Sequence, residues 1–243
     1  MLNAINRFGL SRRIPSETKR QVRQNSGFGC VLCGLGIYEY EHVQPLWVDA
    51  EVHDPANITL LCSQCHSKKT RGMLSITTIR RAMELPKCKQ AGYSSEYFDF
   101  EGTPPFIDFG GIKMEEVKIP IMIKDEALFT IEPPEEPGTQ FLLSGQFYDS
   151  IGGKSLFIIK NEWKAFNSNW DVEVTGPLIT IRERASRICL ALRAVPPHGI
   201  IVERLQMYYQ GWNLSGTKDT FTANGISFSG STIRNGHIGF SLG

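Results

Sequence analysis

The sequence predicts an α+β chain: a small, zinc-braced module at the amino end, followed by an antiparallel all-β domain built as a sandwich or barrel. Three observations predict it. Two C-x-x-C pairs, Cys30/Cys33 and Cys62/Cys65, lie in the first third of the 243 residues. From about residue 111 the apolar period becomes two, the period of a strand with one buried face. Charge divides in the same region. Residues 1–90 hold 13 Lys/Arg against 7 Asp/Glu, an excess of six positive charges, whereas residues 91–243 hold 13 against 18, a deficit of five. The net charge of +1 therefore hides a basic piece and an acidic one, and only the basic piece suits a polyanionic partner.

Composition excludes several classes. At 41% hydrophobic and 21% charged residues the chain is globular rather than disordered. No apolar run approaches the ~20 residues that span a bilayer. The start, MLNAINRFGLSRRIPSE, lacks the apolar core and small-residue cleavage site of a secretory signal. A soluble cytoplasmic protein with no membrane partner is expected. Thiols stay reduced there, so six cysteines call for an explanation other than disulfides.

The elements follow in order. Residues 12–26 read as a helix: Pro15 and Ser16 start it, Glu17 suits its first turn, and Gly27 and Gly29 stop it. Residues 28–48 hold two short extended pieces around a Cys-Val-Leu-Cys-Gly turn, and residues 49–57 are a polar loop. Residues 58–61 (ITLL) form a buried segment running into Cys62. A short helix covers 66–71, and Ser75 caps a second helix over 75–84. Residues 1–90 make the first domain, 91–110 a linker and 111–243 the β-rich domain. Strands are predicted at 117–123, 127–131, 141–148, 155–160, 171–175, 178–183, 187–194 and 200–209. They are separated by turn material such as Gly152-Gly153, Gly176-Pro177 and Pro196-Pro197-His198-Gly199. The glycine-rich end from Asn224 offers an alternative, a short solenoid-like stack.

The cysteine spacing carries the strongest chemical signal. Each pair places two thiolates on one tight turn, and two such knuckles complete a tetrahedral site for structural zinc from Cys30, Cys33, Cys62 and Cys65. Gly34 lets the first turn close. Four thiolates leave no open position, so this metal has no catalytic role and contributes to folding instead. Cys88 and Cys189 stand apart and read as small buried hydrophobes.

Other polar groups sit in and between the knuckles: YEHVQP at 40–45, HDPANITLLC at 53–62 and CSQCHSKK at 62–69. Here the sequence resembles the HNH endonuclease family, whose signature is an acidic residue and a histidine at a strand end, then an asparagine, then a histidine opening a helix. The resemblance covers roughly residues 12–75. It implies a ββα-metal fold and a metal-dependent DNA endonuclease using one catalytic cation. His42 would be the general base, with Asn57 holding its loop. Glu41 and His66 would bind Mg²⁺ or Mn²⁺, and Lys68, Lys69 and Arg71 would neutralise flanking phosphates. A base for water and a cation for the leaving 3′ oxygen are what phosphodiester hydrolysis requires, and an imidazole near its ordinary pKa can take a proton at pH 7.

Two departures stand out. Glu41 occupies a position where Asp is commoner, and no second histidine follows His66 by three or four residues; Lys69 and Thr70 stand there. The role of His53 is left open between a metal or phosphate contact and a solvated loop histidine. Tyr40 and Trp47 read as packing groups, and His66 could alternatively replace Cys65 on zinc. The acidic β domain, with Trp163, Trp170, Trp212, Tyr208 and Tyr209, suits homo-oligomer assembly or sensing better than DNA contact. By analogy with restriction and antiphage nucleases it would recognise a trigger or build the oligomer. The competing reading is a zinc-knuckle DNA-binding adaptor without catalysis, whose β domain recognises a ligand or partner.

Overall fold

The computed structural model describes residues 4–243. It is mostly β, 15% helical and 44% strand, with several antiparallel sheets, none of them closed. The barrel reading is therefore set aside. The chain divides into two compact units, Met1–Glu96 and Tyr97–Gly243. Among the described residues, no helix is long and apolar enough to cross a membrane.

The first unit holds α1 (Ser16–Ser26), β1 (Glu39–His42), a 3-10 turn at Trp47–Asp49, β2 (Ile58–Leu61), α2 (Ser63–Thr70), α3 (Ile76–Glu84) and α4 (Lys87–Ala91), and ends in β3 (Tyr93–Tyr97). Helix α1 stops at Gly27, whose left-handed φ of 72° closes the C-cap by donating to Arg23 and Gln24 carbonyls. Ser75 caps α3 by accepting from the Thr78 amide at 3.1 Å. Helix α2 begins at Ser63, earlier than the sequence suggests, because the Cys62 sulfur takes the capping role and accepts from the Cys65 amide at 3.4 Å.

Strands β1 and β2 pair antiparallel, Glu39 opposite Leu61 through His42 opposite Ile58. All four residues of β2 are buried. Ile58 and Leu60 pack with Ile14 and Val22. Leu61 packs with Val31, Val43, Ile79 and the cysteines. Burial on both faces explains why ITLL reads as a continuous apolar run rather than an alternating one. Each of Ile58, Leu60 and Leu61 contributes about 1.5–3 kcal/mol.

In the second unit the strands are β4 (Phe106–Phe109), β5 (Ile112–Glu115), β6 (Ile119–Ile123), β7 (Glu126–Ala127), β8 (Phe129–Glu132), β9 (Leu142–Tyr148), β10 (Lys154–Ile159), β11 (Glu162–Phe166), β12 (Asp171–Thr175), β13 (Leu178–Arg184), β14 (Arg187–Val195), β15 (Gly199–Tyr209), β16 (Trp212–Gly216), β17 (Phe221–Ala223), β18 (Ile226–Phe228), β19 (Ser231–Arg234) and β20 (Ile238–Leu242). Every strand anticipated from the period-two pattern is present. The stretch 91–110, read above as a linker, carries β3 and β4.

One meander runs β12-β13-β14-β15-β16-β17-β18, and β8 to β11 form another in the order β11-β10-β9-β8. Pairing is not purely antiparallel, which corrects the sequence expectation. β4 lies parallel to β15, β19 parallel to β5, and β20 parallel to β6. The glycine-rich end thus returns onto early strands instead of stacking on itself. Parallel pairing needs a long crossover, which local periodicity does not reveal.

The core of this unit is aromatic. Phe109 meets the rings of Phe129, Phe147 and Phe221 at centroid distances of 5.5, 6.1 and 5.6 Å, and all four rings are buried. Gly145 lies against this cluster; a Cβ there would come within 2.2 Å of the Phe129 ring. Phe109→Ala is expected to destabilise the second unit by about 3–5 kcal/mol, and Gly145→Ala by about 1–3 kcal/mol through overpacking. Urea unfolding followed by tryptophan fluorescence measures both. An unchanged midpoint for Phe109→Ala would show that the ring cluster does not hold the unit together.

Candidate metal centre and active site

The first knuckle is a backbone turn. The Cys30 carbonyl accepts from the Gly34 amide at 2.9 Å, and the Cys30 amide donates to Leu35 at 2.8 Å. Gly34 sits at φ 90°, a conformation that glycine adopts without strain. The second knuckle is the capped start of α2. One further bond joins the two, from the Val31 amide to the Leu60 carbonyl at 3.1 Å.

Together these place the four sulfurs of Cys30, Cys33, Cys62 and Cys65 within 4.8 Å of one another. The Cys33 and Cys62 sulfurs are 3.6 Å apart, close to the roughly 3.8 Å between sulfurs on a tetrahedral zinc with ~2.3 Å bonds. Hydrogen bonding from Cys33 pulls the Cys30 thiol down. The same bond pushes Cys33 up, and burial raises Cys65. Thiols this close do not all ionise unaided, whereas a divalent cation makes four thiolates compatible. The donor set fits structural zinc. His66 is not part of it, because Cys65 takes the fourth position.

Cys88 is fully buried, with its thiol 3.5 Å from the Gly34 carbonyl and its pKa raised to about 12 by burial. It braces the knuckle without joining the sulfur cluster. Cys189 lies in the second unit with its thiol 3.5 Å from the Ile181 carbonyl.

Successive residues of a strand point to opposite faces. Glu39 and Glu41 therefore share a face with Thr59 and Leu61, while Tyr40 and His42 share the other with Ile58 and Leu60. Helix α2 presents its polar residues to the first face. His66 Nε2 lies 2.9 Å from Glu41 Oε2, and the Lys69 ammonium donates to Glu41 Oε1. His66 Nδ1 is 3.7 Å from Glu39. Lys69 also reaches the His42 carbonyl at 3.5 Å. Lys69, expected to face phosphate, is thus committed to the carboxylate, whereas Lys68 and Arg71 are exposed.

On the opposite face His42 is only 8% exposed. Burial, then the neighbouring His53, hold its pKa down to about 4. This corrects the expectation of an ordinary imidazole; the ring is neutral throughout the neutral range. His42 lines a cavity of about 270 Å³ shared with Pro45, Asp49, Glu51, Asp54 and Asn57. The Asn57 carbonyl accepts from the Val43 amide at 2.9 Å, and the Asn57 side chain donates to Asp54 at 2.9 Å. Asn57 thereby pins the loop to the residue that follows His42. Tyr40 accepts from Arg23 Nη1 at 2.8 Å, and Trp47 donates to the Ser11 carbonyl at 3.3 Å.

The contact that sequence reasoning missed is His53. Its Nδ1 lies 3.1 Å from His42 Nε2, and its Nε2 lies 2.9 Å from the Ser11 carbonyl. No spacing rule marks it, since it sits in an irregular loop eleven residues beyond its partner.

If the four sulfurs hold zinc, removing the metal unfolds the first unit and leaves the second intact. Chelation is expected to abolish the far-UV helix signal while urea unfolding of the β unit keeps its midpoint. Retention of all helical signal after quantitative removal of zinc would contradict a folding role for the metal.

No curated protein and no solved structure matches this chain. One family model does, over a segment that holds both cysteine pairs together with Glu41, His42, Asn57 and His66: residues 30–72 match the HNH endonuclease family.

Proposed function

We propose that the first unit is a metal-dependent DNA endonuclease in which β1, β2 and α2 form a ββα-metal module. The observation that carries this reading is the convergence of Glu41 and His66 at 2.9 Å beside a neutral, buried His42 on the other face of the same strand end. One carboxylate and one imidazole suit a cation that takes its remaining ligands from water and phosphate. Glu41 also already attracts the ammonium of Lys69, so its carboxylate favours positive charge. A Mg²⁺ or Mn²⁺ ion on Glu41 and His66 would supply the positive charge needed at the leaving 3′ oxygen.

The chain's own residues account for the rest. His42 takes the proton from the attacking water. Asn57 holds the loop that limits how His42 can move. Lys68 on α2 and Arg71 just after it, both exposed, neutralise the flanking phosphates. Because Glu41 and His42 project to opposite sides of β1, base and cation approach a phosphodiester from two directions, as displacement in line with the leaving oxygen requires.

Plasmid nicking in the presence of Mg²⁺ or Mn²⁺ tests the proposal. His42→Ala is expected to slow nicking by about 10²–10⁴-fold, the usual contribution of a positioned base, with DNA affinity retained. Absence of nicking with every divalent cation, alongside tight DNA binding, would favour the adaptor reading.

A second expectation concerns Lys69, which occupies one oxygen of Glu41. Lys69→Met is expected to raise Mn²⁺ affinity, measured by isothermal titration without DNA, because the carboxylate loses a competing cation. Unchanged or weaker Mn²⁺ binding would show that Glu41 is not the cation's ligand.

A further inference from the structure

We infer that His53 is a positioning residue that sets the tautomer of His42. The inference rests on the reading of His42 as the base. A backbone carbonyl can only accept a hydrogen bond, so the 2.9 Å contact between His53 Nε2 and the Ser11 carbonyl requires the proton to be on His53 Nε2. In the neutral imidazole the other nitrogen, Nδ1, is then an acceptor. That atom lies 3.1 Å from His42 Nε2, so His42 Nε2 must carry its ring proton and donate it. The basic lone pair of neutral His42 is left on Nδ1. A proton abstracted from water is accepted there, while Nε2–H stays bonded to His53 and the positive charge that develops is shared with a hydrogen-bond acceptor.

The anchor is itself held. Ser11 bridges to Ile5 in a short antiparallel pair, and its carbonyl also accepts from Trp47 Nε1 at 3.3 Å. Asn6 donates to the Trp47 and Ala50 carbonyls at 2.6 Å each, tying the same segment to the loop that carries His53. The ring planes of His42 and His53 are inclined at 53° with centroids 5.2 Å apart. The two imidazoles therefore meet through their nitrogens rather than stacking face to face. The chain Ser11 carbonyl, His53, His42 fixes both the rotation of the His42 ring and the nitrogen that is bare. Nothing in the spacing of the cysteine pairs, Glu41, Asn57 or His66 requires it.

The test uses the full-length, zinc-loaded protein labelled with ¹⁵N-histidine, with His53→Gln and His53→Leu as variants. Glutamine offers an acceptor oxygen and a donor amide on one side chain, in the same two senses as the imidazole; leucine offers neither. The His42 ring nitrogens, assigned by their loss in His42→Ala, are expected to show Nε2 protonated and Nδ1 bare in the wild type and in His53→Gln. A mixture of tautomers is expected in His53→Leu. Nicking by His53→Leu is expected to fall about 10–100-fold in kcat, in the range found when the partner that orients a functional histidine is removed. KM should stay close to that of the wild type, and His53→Gln should recover most of the loss. A wild-type His42 with its proton on Nδ1, or leucine and glutamine variants alike in spectrum and rate, overturns the inference. If the wild-type protein fails to nick DNA with any divalent cation, the reading of His42 as base falls. The spectra alone then decide whether His53 sets the tautomer, and an unchanged tautomer in His53→Leu rejects it.

Discussion

The convergence of four sulfurs within 4.8 Å is the constraint on which the rest of the first unit depends. The sheet there has only two strands, and the apolar cluster around Val31, Leu61 and Ile79 includes three of the four cysteines. Because the cluster is part of that core, ligation of a metal by it would be folding free energy as much as binding. Cys62 shows how tightly the two are joined. It follows a buried strand, caps α2 with its sulfur and is one of the four clustered sulfurs. Fixing Cys62 fixes where α2 starts, and the start of α2 decides that His66 and Lys69 face Glu41.

From that frame follows a division of labour along two residues of β1. Strand alternation sends Glu41 toward the cations of α2 and His42 toward the loop. The two environments have opposite characters. Glu41 is surrounded by positive and hydrogen-bonding groups, which suit a carboxylate. His42 is buried beside another histidine, which disfavours its charged form and holds its pKa down to about 4. As the proposed base, His42 would be always ready but, with so low a pKa, intrinsically weak. In that role its hydrogen bond to His53 would compensate in part, because sharing the developing charge with an acceptor stabilises the protonated state. Readiness would come from burial, and strength from a contact that acts when charge appears.

The parts of this arrangement that are legible in the sequence are local. Two C-x-x-C pairs, an acidic residue beside a histidine, and a histidine after the last cysteine are patterns of a few residues, and their order survives folding. The strands of the second unit are legible for the same reason, since a period of two is a property of each segment. Contacts across long separations are not. Lys69 meets Glu41 over 28 residues, and His53 meets His42 across an irregular loop. The parallel partners β4–β15, β5–β19 and β6–β20 depend on crossovers that no window of residues displays. The early start of α2 was hidden by chemistry rather than distance, because cysteine is not among the usual capping residues.

Charge completes the account of how such a unit meets a polyanion. Residues 1–90 carry an excess of six positive charges, yet the structure commits several of them. Zinc on the four thiolates would contribute a net charge of about −2, Lys69 is bound to Glu41, and Arg7 pairs with Asp49 at 2.7 Å. Near the proposed site, Lys68 on α2, Arg71 just after it and Arg12, whose charge is felt at His42, remain exposed. Few phosphate contacts mean modest affinity that salt weakens readily. For the proposed reaction, orientation at the phosphate would then come from rigid placement of Glu41, His42 and His66 rather than from grip on the duplex. That is the circumstance in which fixing the tautomer of a single imidazole matters most.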